Sequence, residues 1–185
     1  MSEPVQTYSI RDCAREVIAL IEAHPNAVPP SDDIRSAVQK LMKRPDLFSL
    51  GVKREANHID TSKWLYYDGQ IAIQLDKVPK GKFIPPHDHG IWEAMTVVRG
   101  RLDHTVYERK DDESKPGYAD LAVVEARILG AEDFVMVAMP AEIHSFTALD
   151  DDTYTLTVVG GSYKTERLYF KPEDKTYVTR RPKAA

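Results

Sequence analysis

The hydrophobic pattern changes period near residue 60. Before that point it is helical. Ile10, Cys13, Val17, Leu20 and Ile21 fall on one face of an amphipathic helix. Ser9 stands where an N-cap belongs, Asp12 lies in the first turn, and His24-Pro25 ends the run. Pro29, Pro30, Ser31 and Asp32 then punctuate the chain. A second stripe follows, Ile34, Val38, Leu41 and Met42, closed by Arg44-Pro45. After residue 60, short β-rich runs alternate with turns. Strands are predicted at 64–67, 71–78, 92–98, 102–108, 122–129, 134–139, 145–149, 154–159, 167–170 and 176–179. Arg99-Gly100 marks a tight turn, and residues 110–118 and Asp150-Asp151-Asp152 read as exposed loops. Many short strands with no interleaved helices indicate a sandwich or barrel. The expectation is one all-β domain: an N-terminal helical flank over 1–60 and a barrel over 61–180.

Composition narrows the class. A length of 185 residues suits one domain, and 42% hydrophobic residues are enough for a core. The 25 Lys and Arg against 29 Asp and Glu leave a net charge of −4, a poor basis for gripping phosphate backbones. The single cysteine, Cys13, permits no disulfide within the chain, which suits a reducing compartment; its place on the apolar stripe makes it core. The N-terminus, MSEPVQTYSIRDC, lacks a basic region followed by an apolar run. No stretch approaches the roughly 18 apolar residues of a membrane helix. The expectation is a cytoplasmic protein with neither nucleic acid nor membrane as partner.

The chemistry concentrates in residues 81–100, GKFIPPHDHGIWEAMTVVRG. His87 and His89 are two apart, which on a strand points both imidazoles to one face, and Glu93 has the same parity. Imidazole nitrogens with one carboxylate suit a divalent transition metal. A third histidine must come from elsewhere. His144 is the candidate, because it follows the turn at Pro140-Ala141 and opens the strand-like run HSFTAL.

The order Gly81, five residues, His87-x-His89, three residues, Glu93, six residues, Gly100 matches the first signature motif of the cupin superfamily at every fixed position. Gly130 with Pro140-Ala-Glu-Ile-His144 resembles the second motif in weaker form, with a glycine missing and the spacing one residue short. The run LYYDGQIAIQLDKVPKGKFIPPHDHGIW, followed by Arg99-Gly100, is similar to the cysteine dioxygenase branch of the cupins from about Ala14 to about Tyr169. That resemblance implies a jelly-roll barrel, the cupin double-stranded β-helix, with iron(II) on His87, His89 and His144. Small-molecule substrate and dioxygen would be its partners, and barrels pairing into a homodimer its assembly.

Three departures qualify the resemblance. That branch typically has no carboxylate at the Glu93 position, whereas in the wider superfamily a glutamate there is commonly a ligand. The branch's substrate-orienting Ser, His and Tyr align with Thr155, Thr157 and Val159, and its carboxylate-binding arginine aligns with Tyr67. Tyr67 and Thr157 are therefore the candidate catalytic residues, and cysteine is not the expected substrate. Trp92, Phe134, Met136 and Phe146 are expected to line or back the pocket. Tyr66, Tyr67 and Tyr107 are candidate phenolic donors, and Arg99 or Arg101 candidate partners of Glu93. His24, His58 and His104 read as surface or structural. Besides an iron dioxygenase, the motif admits a cupin using zinc, nickel or manganese for isomerase, lyase or hydrolase chemistry, or a metal-binding module without catalysis.

Overall fold

The computed structural model describes residues 8–55, 59 and 61–181. His58, residues 1–7 and the tail residues Pro182 and Lys183 lie outside the described residues. Helix α1 (Ile10–Ala23) opens with a capping box: Ser9 Oγ accepts from the Asp12 amide at 3.1 Å, and the Asp12 carboxylate accepts from the Ser9 amide at 2.9 Å. Helix α2 (Ser31–Met42) follows Pro30. The two apolar stripes interlock through Cys13, Ala14, Val17, Ala37, Val38 and Leu41, all 0–1% exposed.

Twelve strands follow: β1 (Val52–Arg54), β2 (Thr61–Tyr67), β3 (Ala72–Val78), β4 (Phe83–His87), β5 (Glu93–Arg99), β6 (Leu102–Arg109), β7 (Leu121–Leu129), β8 (Phe134–Val137), β9 (Ile143–Ala148), β10 (Thr153–Val159), β11 (Arg167–Lys171) and β12 (Thr176–Arg180). They form two six-stranded antiparallel sheets, β1-β2-β3-β10-β5-β8 and β12-β11-β4-β9-β6-β7. The central eight strands, 3-10-5-8 facing 4-9-6-7, trace two Greek keys. This is the jelly roll, the double-stranded β-helix of the cupins.

The helices lie on the outer face of the first sheet, so its central strands β3, β10 and β5 are buried on both sides. On β3, Ile73 and Leu75 pack toward the helices, while Ala72, Gln74, Asp76 and Val78 turn into the barrel. On β10, Leu156 and Val158 join the helix-side core, and Thr155 and Thr157 face inward. Burying a Leu such as Leu156 fully contributes about 1.5–3 kcal/mol. A second apolar cluster, including Val97, Leu102, Leu129 and Val135, continues from Val78, Ile84, Met95 and Phe146 of the cavity wall and packs the rest of the interior.

Two strands were not expected from the pattern. β1 is three residues long and pairs with β2, so the sheet begins before residue 60. β4 carries Pro85-Pro86, which in sequence reads as a break. Its pairing with β9 shifts register between Ile84 and His87, so the prolines sit in a bulge and His87 still pairs with His144.

Candidate metal centre

His87 closes β4 and His144 lies in β9 directly opposite it, so one strand pair supplies two imidazoles. His89 and Glu93 are positioned differently from the sequence expectation of one continuous strand. β4 ends at His87, His89 sits in the connecting turn, Gly90 takes φ +69°, and Glu93 begins β5. The turn carries the chain from one sheet to the other, and Glu93 pairs there with Val159 and Val137. Same-face geometry thus arises from two strands and a glycine turn rather than from strand parity.

The three imidazoles form a nearly equilateral triangle, with ring centroids 4.6 Å (His87–His89), 4.9 Å (His87–His144) and 4.9 Å (His89–His144) apart. One nitrogen from each lies within 4.8 Å of the others. Glu93 lies beside this cluster: its Oε2 is 3.4 Å from His89 Nε2 and its Oε1 is 3.7 Å from His144 Nε2.

Backbone and side-chain acceptors fix which nitrogen faces the centre. His87 Nδ1 lies 2.9 Å from the Pro85 carbonyl and His89 Nδ1 lies 3.2 Å from the Glu142 carbonyl. A carbonyl can only accept, so both Nδ1 atoms carry the proton and both Nε2 lone pairs point inward. His144 Nδ1 meets His104 Nε2 at 3.0 Å, leaving His144 Nε2 buried with no hydrogen-bond partner among the described residues. A buried orphan acceptor is costly, and a metal ion on that lone pair removes the cost. The donor set fits a divalent transition metal.

The electrostatics agree with neutral imidazoles. Burial, reinforced by neighbouring histidines and Arg167, holds the pKa of His89 and of His144 well below the ordinary value. Burial pushes the Glu93 carboxyl up, against the opposing pull of its Tyr163 hydrogen bond and of Arg167. Tyr163 Oη donates to Glu93 Oε2 at 2.6 Å, and burial beside Glu93 raises the phenol well above its usual range.

The four histidine and glutamate candidates of the sequence therefore converge. Thr157 lines the same cavity on its buried wall, beside Thr155, and Tyr67 stands at the rim, 56% exposed and stacked on Trp64. Phe146 lines the cavity, whereas Trp92 and Phe134 stand behind its wall in the core beneath the helices and Met136 packs against them. Other expectations are corrected. Tyr66 bonds to Asp68 and Tyr107 to Ser145, away from the histidines. Arg99 and Arg101 pair with Asp152 and Asp150, not with Glu93. Of the two readings of His104, surface or structural, the second holds: it is fully buried against His144.

Several residues of the site escaped sequence reasoning: Tyr163 and Lys164 in the loop after β10, Glu142, His104, Arg54 and Arg167. For His104 a signal existed. It shares strand parity with the buried Leu102 and Val106 on β6, so it faces inward with them. The loop residues offered none. Lys164 bonds Asp88 at 2.9 Å, and Asp88 also accepts from the Leu168 amide at 2.7 Å, which ties this loop to the histidine turn.

The cavity above the centre is open and has a volume of about 870 Å³. Its walls mix apolar residues (Ile84, Met95, Phe146) with Gln74, Asp76 and the two threonines. Among the described residues no helix is long and apolar enough to cross a membrane.

No family model matches the chain, and no curated protein is similar to it in sequence. Solved structures with similar folds exist. A deletion mutant of Bacillus subtilis oxalate decarboxylase aligns with a TM-score of 0.47 at 16% identity, covering 66% of this chain and 31% of that one. An RmlC-like cupin protein from Ralstonia eutropha aligns with a TM-score of 0.43 at 18% identity, covering 71% and 72%. Recombinant oxalate oxidase in complex with glycolate aligns with a TM-score of 0.39 at 17% identity, covering 50% of this chain; the chain spans only 42% of the length of that protein. The jelly-roll fold itself rests on the strand order, and it carries a three-histidine candidate metal site.

Proposed function

We propose that the chain is a mononuclear non-haem iron(II) dioxygenase, with His87, His89, His144 and Glu93 as ligands, acting on a small organic molecule other than cysteine. The observation that carries this reading is the convergence of three inward-facing Nε2 atoms and one carboxylate beneath an open cavity. Iron(II), when bound, supplies a redox-active centre with coordination positions left for substrate and dioxygen. The protein's own part is positional. Neutral imidazoles present lone pairs without first losing protons. Tyr163 holds Glu93 toward the histidines through its 2.6 Å hydrogen bond. Thr155 and Thr157 offer hydroxyls to a substrate in the cavity, Tyr67 offers a phenol at its mouth, and the apolar wall keeps bulk water from the reacting atoms.

The departure of Glu93, Tyr67 and Thr157 from the thiol dioxygenase pattern motivates a substrate outside the amino thiols. The test is metal analysis of the chain produced without metal supplementation, followed by oxygen uptake with the iron-loaded protein on thiols, β-diketones and aromatic diols. Iron at about one per chain with substrate-dependent uptake is the expected result. No uptake on any of these would end the dioxygenase reading.

Glu93 favours one alternative. A buried carboxyl with a raised pKa, placed between a phenol and two imidazoles, suits general acid–base work beside a zinc, nickel or manganese Lewis acid. Such an isomerase, lyase or hydrolase would turn over without oxygen.

A further inference from the structure

We propose that the cavity binds its substrate through a carboxylate, docked on the guanidinium of Arg167 with Arg54 as the second cation of the wall. This rests on the reading of the cavity as a substrate site. Among the described residues, four cationic side chains line the cavity. Two are already answered: Lys164 pairs with Asp88 at 2.9 Å and Arg181 with Glu166 at 2.9 Å. Arg167 and Arg54 are not. Among the described residues no carboxylate lies in ion-pair contact with either guanidinium.

Arg167 is the sharper case. Its Nε is buried with no hydrogen-bond partner among the described residues. Its guanidinium lies 3.8 Å from the centroid of the Tyr163 ring, a cation–π contact that holds the planar fork in place without using its N–H donors. Tyr163 in turn bonds Glu93, so this fork stands one aromatic ring away from the histidine cluster. Arg54 is held similarly: Nε donates to Ser62 Oγ at 2.5 Å and the guanidinium lies 4.2 Å over Trp64.

A desolvated donor on a charged group calls for an acceptor, and a planar fork of N–H donors matches a carboxylate. Only Arg167 has a buried donor left without a partner, so it asks for one negative charge, while the charge of Arg54 already acts on Asp76 and Glu93 in the same wall, two acidic groups that disfavour a more highly charged ligand. The substrate class is therefore a small organic monoacid whose remaining atoms reach from Arg167 toward the histidines.

The test uses the metal-free full chain, with propionate as probe and propionamide as its neutral counterpart, followed by isothermal titration or ligand-observed NMR. Propionate should bind about ten-fold or more tightly than propionamide, because a charge-assisted fork is lost with the amide. Arg167→Gln should weaken propionate about ten-fold or more, Arg54→Gln should weaken it less, and Arg99→Gln, at a surface pair, should leave it unchanged. If Arg167→Gln does not fold, Arg167→Lys replaces it, and a several-fold loss from the broken fork is expected. No propionate binding by the native chain, or equal binding by the folded Arg167 variant, overturns the proposal. A parallel cobalt(II) titration separates the two readings. Metal uptake without propionate binding retires this inference alone, whereas propionate binding without metal uptake keeps it and retires the metal enzyme.

Discussion

His104 illustrates how much a single buried side chain can control. For His144 to offer Nε2 to a metal, its Nδ1 must be protonated and must donate to His104 Nε2, so His104 carries its own proton on Nδ1. Burial lowers the His104 pKa to about 4, which keeps it neutral and able to accept. His104→Phe removes that acceptor, and metal affinity should fall about 10- to 100-fold, as for other residues that orient a ligating histidine. Competition with a chelator of known affinity measures it; unchanged affinity would remove His104 from the site. Asp76 gives a separate prediction. Burial raises its carboxyl from 3.8 to about 6. A raised pKa means the folded chain holds the proton more tightly. The stability this contributes is full below about pH 3.8 and is lost as the pH rises through about 6. At about 1.36 kcal/mol per pH unit the loss is about 3 kcal/mol. Urea unfolding of Asp76→Asn should therefore show the variant gaining on the unaltered chain by about that much between pH 4 and pH 7. His89, His144 and His104 act in the opposite sense, weakening the fold as pH falls below about 6.5, and they cancel in this comparison because both chains carry them.

Among the elements, β10 and the loop that follows it connect core to site. β10 faces the helices with Leu156 and Val158 and the cavity with Thr155 and Thr157, and then runs through Gly160 and Gly161 to Tyr163. Gly160 closely approaches the Trp92 indole, and its amide donates to the Trp92 carbonyl at 3.2 Å. A Cβ there would collide with the indole ring. Because Trp92 is wedged in the core, relief must come from the backbone that leads to Tyr163. Gly160→Ala should cost about 1–3 kcal/mol by overpacking. It should also weaken metal binding, which Gly69→Ala, at an open turn, should not. Paired thermal melts and metal titrations would reveal whether both effects appear.

At the scale of the whole molecule, the site joins both sheets: His87 and His144 come from one, Glu93 from the other, and His89 from the turn between them. A metal held there binds only the folded chain, so it should stabilise the entire barrel. At free metal one hundred times the dissociation constant the gain is about 2.7 kcal/mol. Iron(II) or cobalt(II) should raise the unfolding midpoint, a chelator should reverse the rise, and His87→Ala should abolish it. An equal rise in His87→Ala would mean that the ion acts elsewhere.

The local pattern of the chain determined much of this. The Ser9 cap, the two helical stripes and the run of short strands were legible because each depends on neighbours in sequence. The His87, His89 and Glu93 spacing was legible because a glycine turn between two strands needs that many residues, even though strand parity was the wrong reason for it. β4 was hidden because prolines at a bulge resemble a terminator. Tertiary structure alone decided which partner answers Glu93. Tyr163 stands 70 residues away in a loop without period, whereas the nearby Arg99 and Arg101 are drawn to the acidic loop at Asp150–Asp152. It also decided that Arg167 and Arg54, at opposite ends of the barrel sequence, meet one cavity. Long-range pairings are set by the closing of two sheets on each other, and no local spacing encodes which side chains that closure brings together.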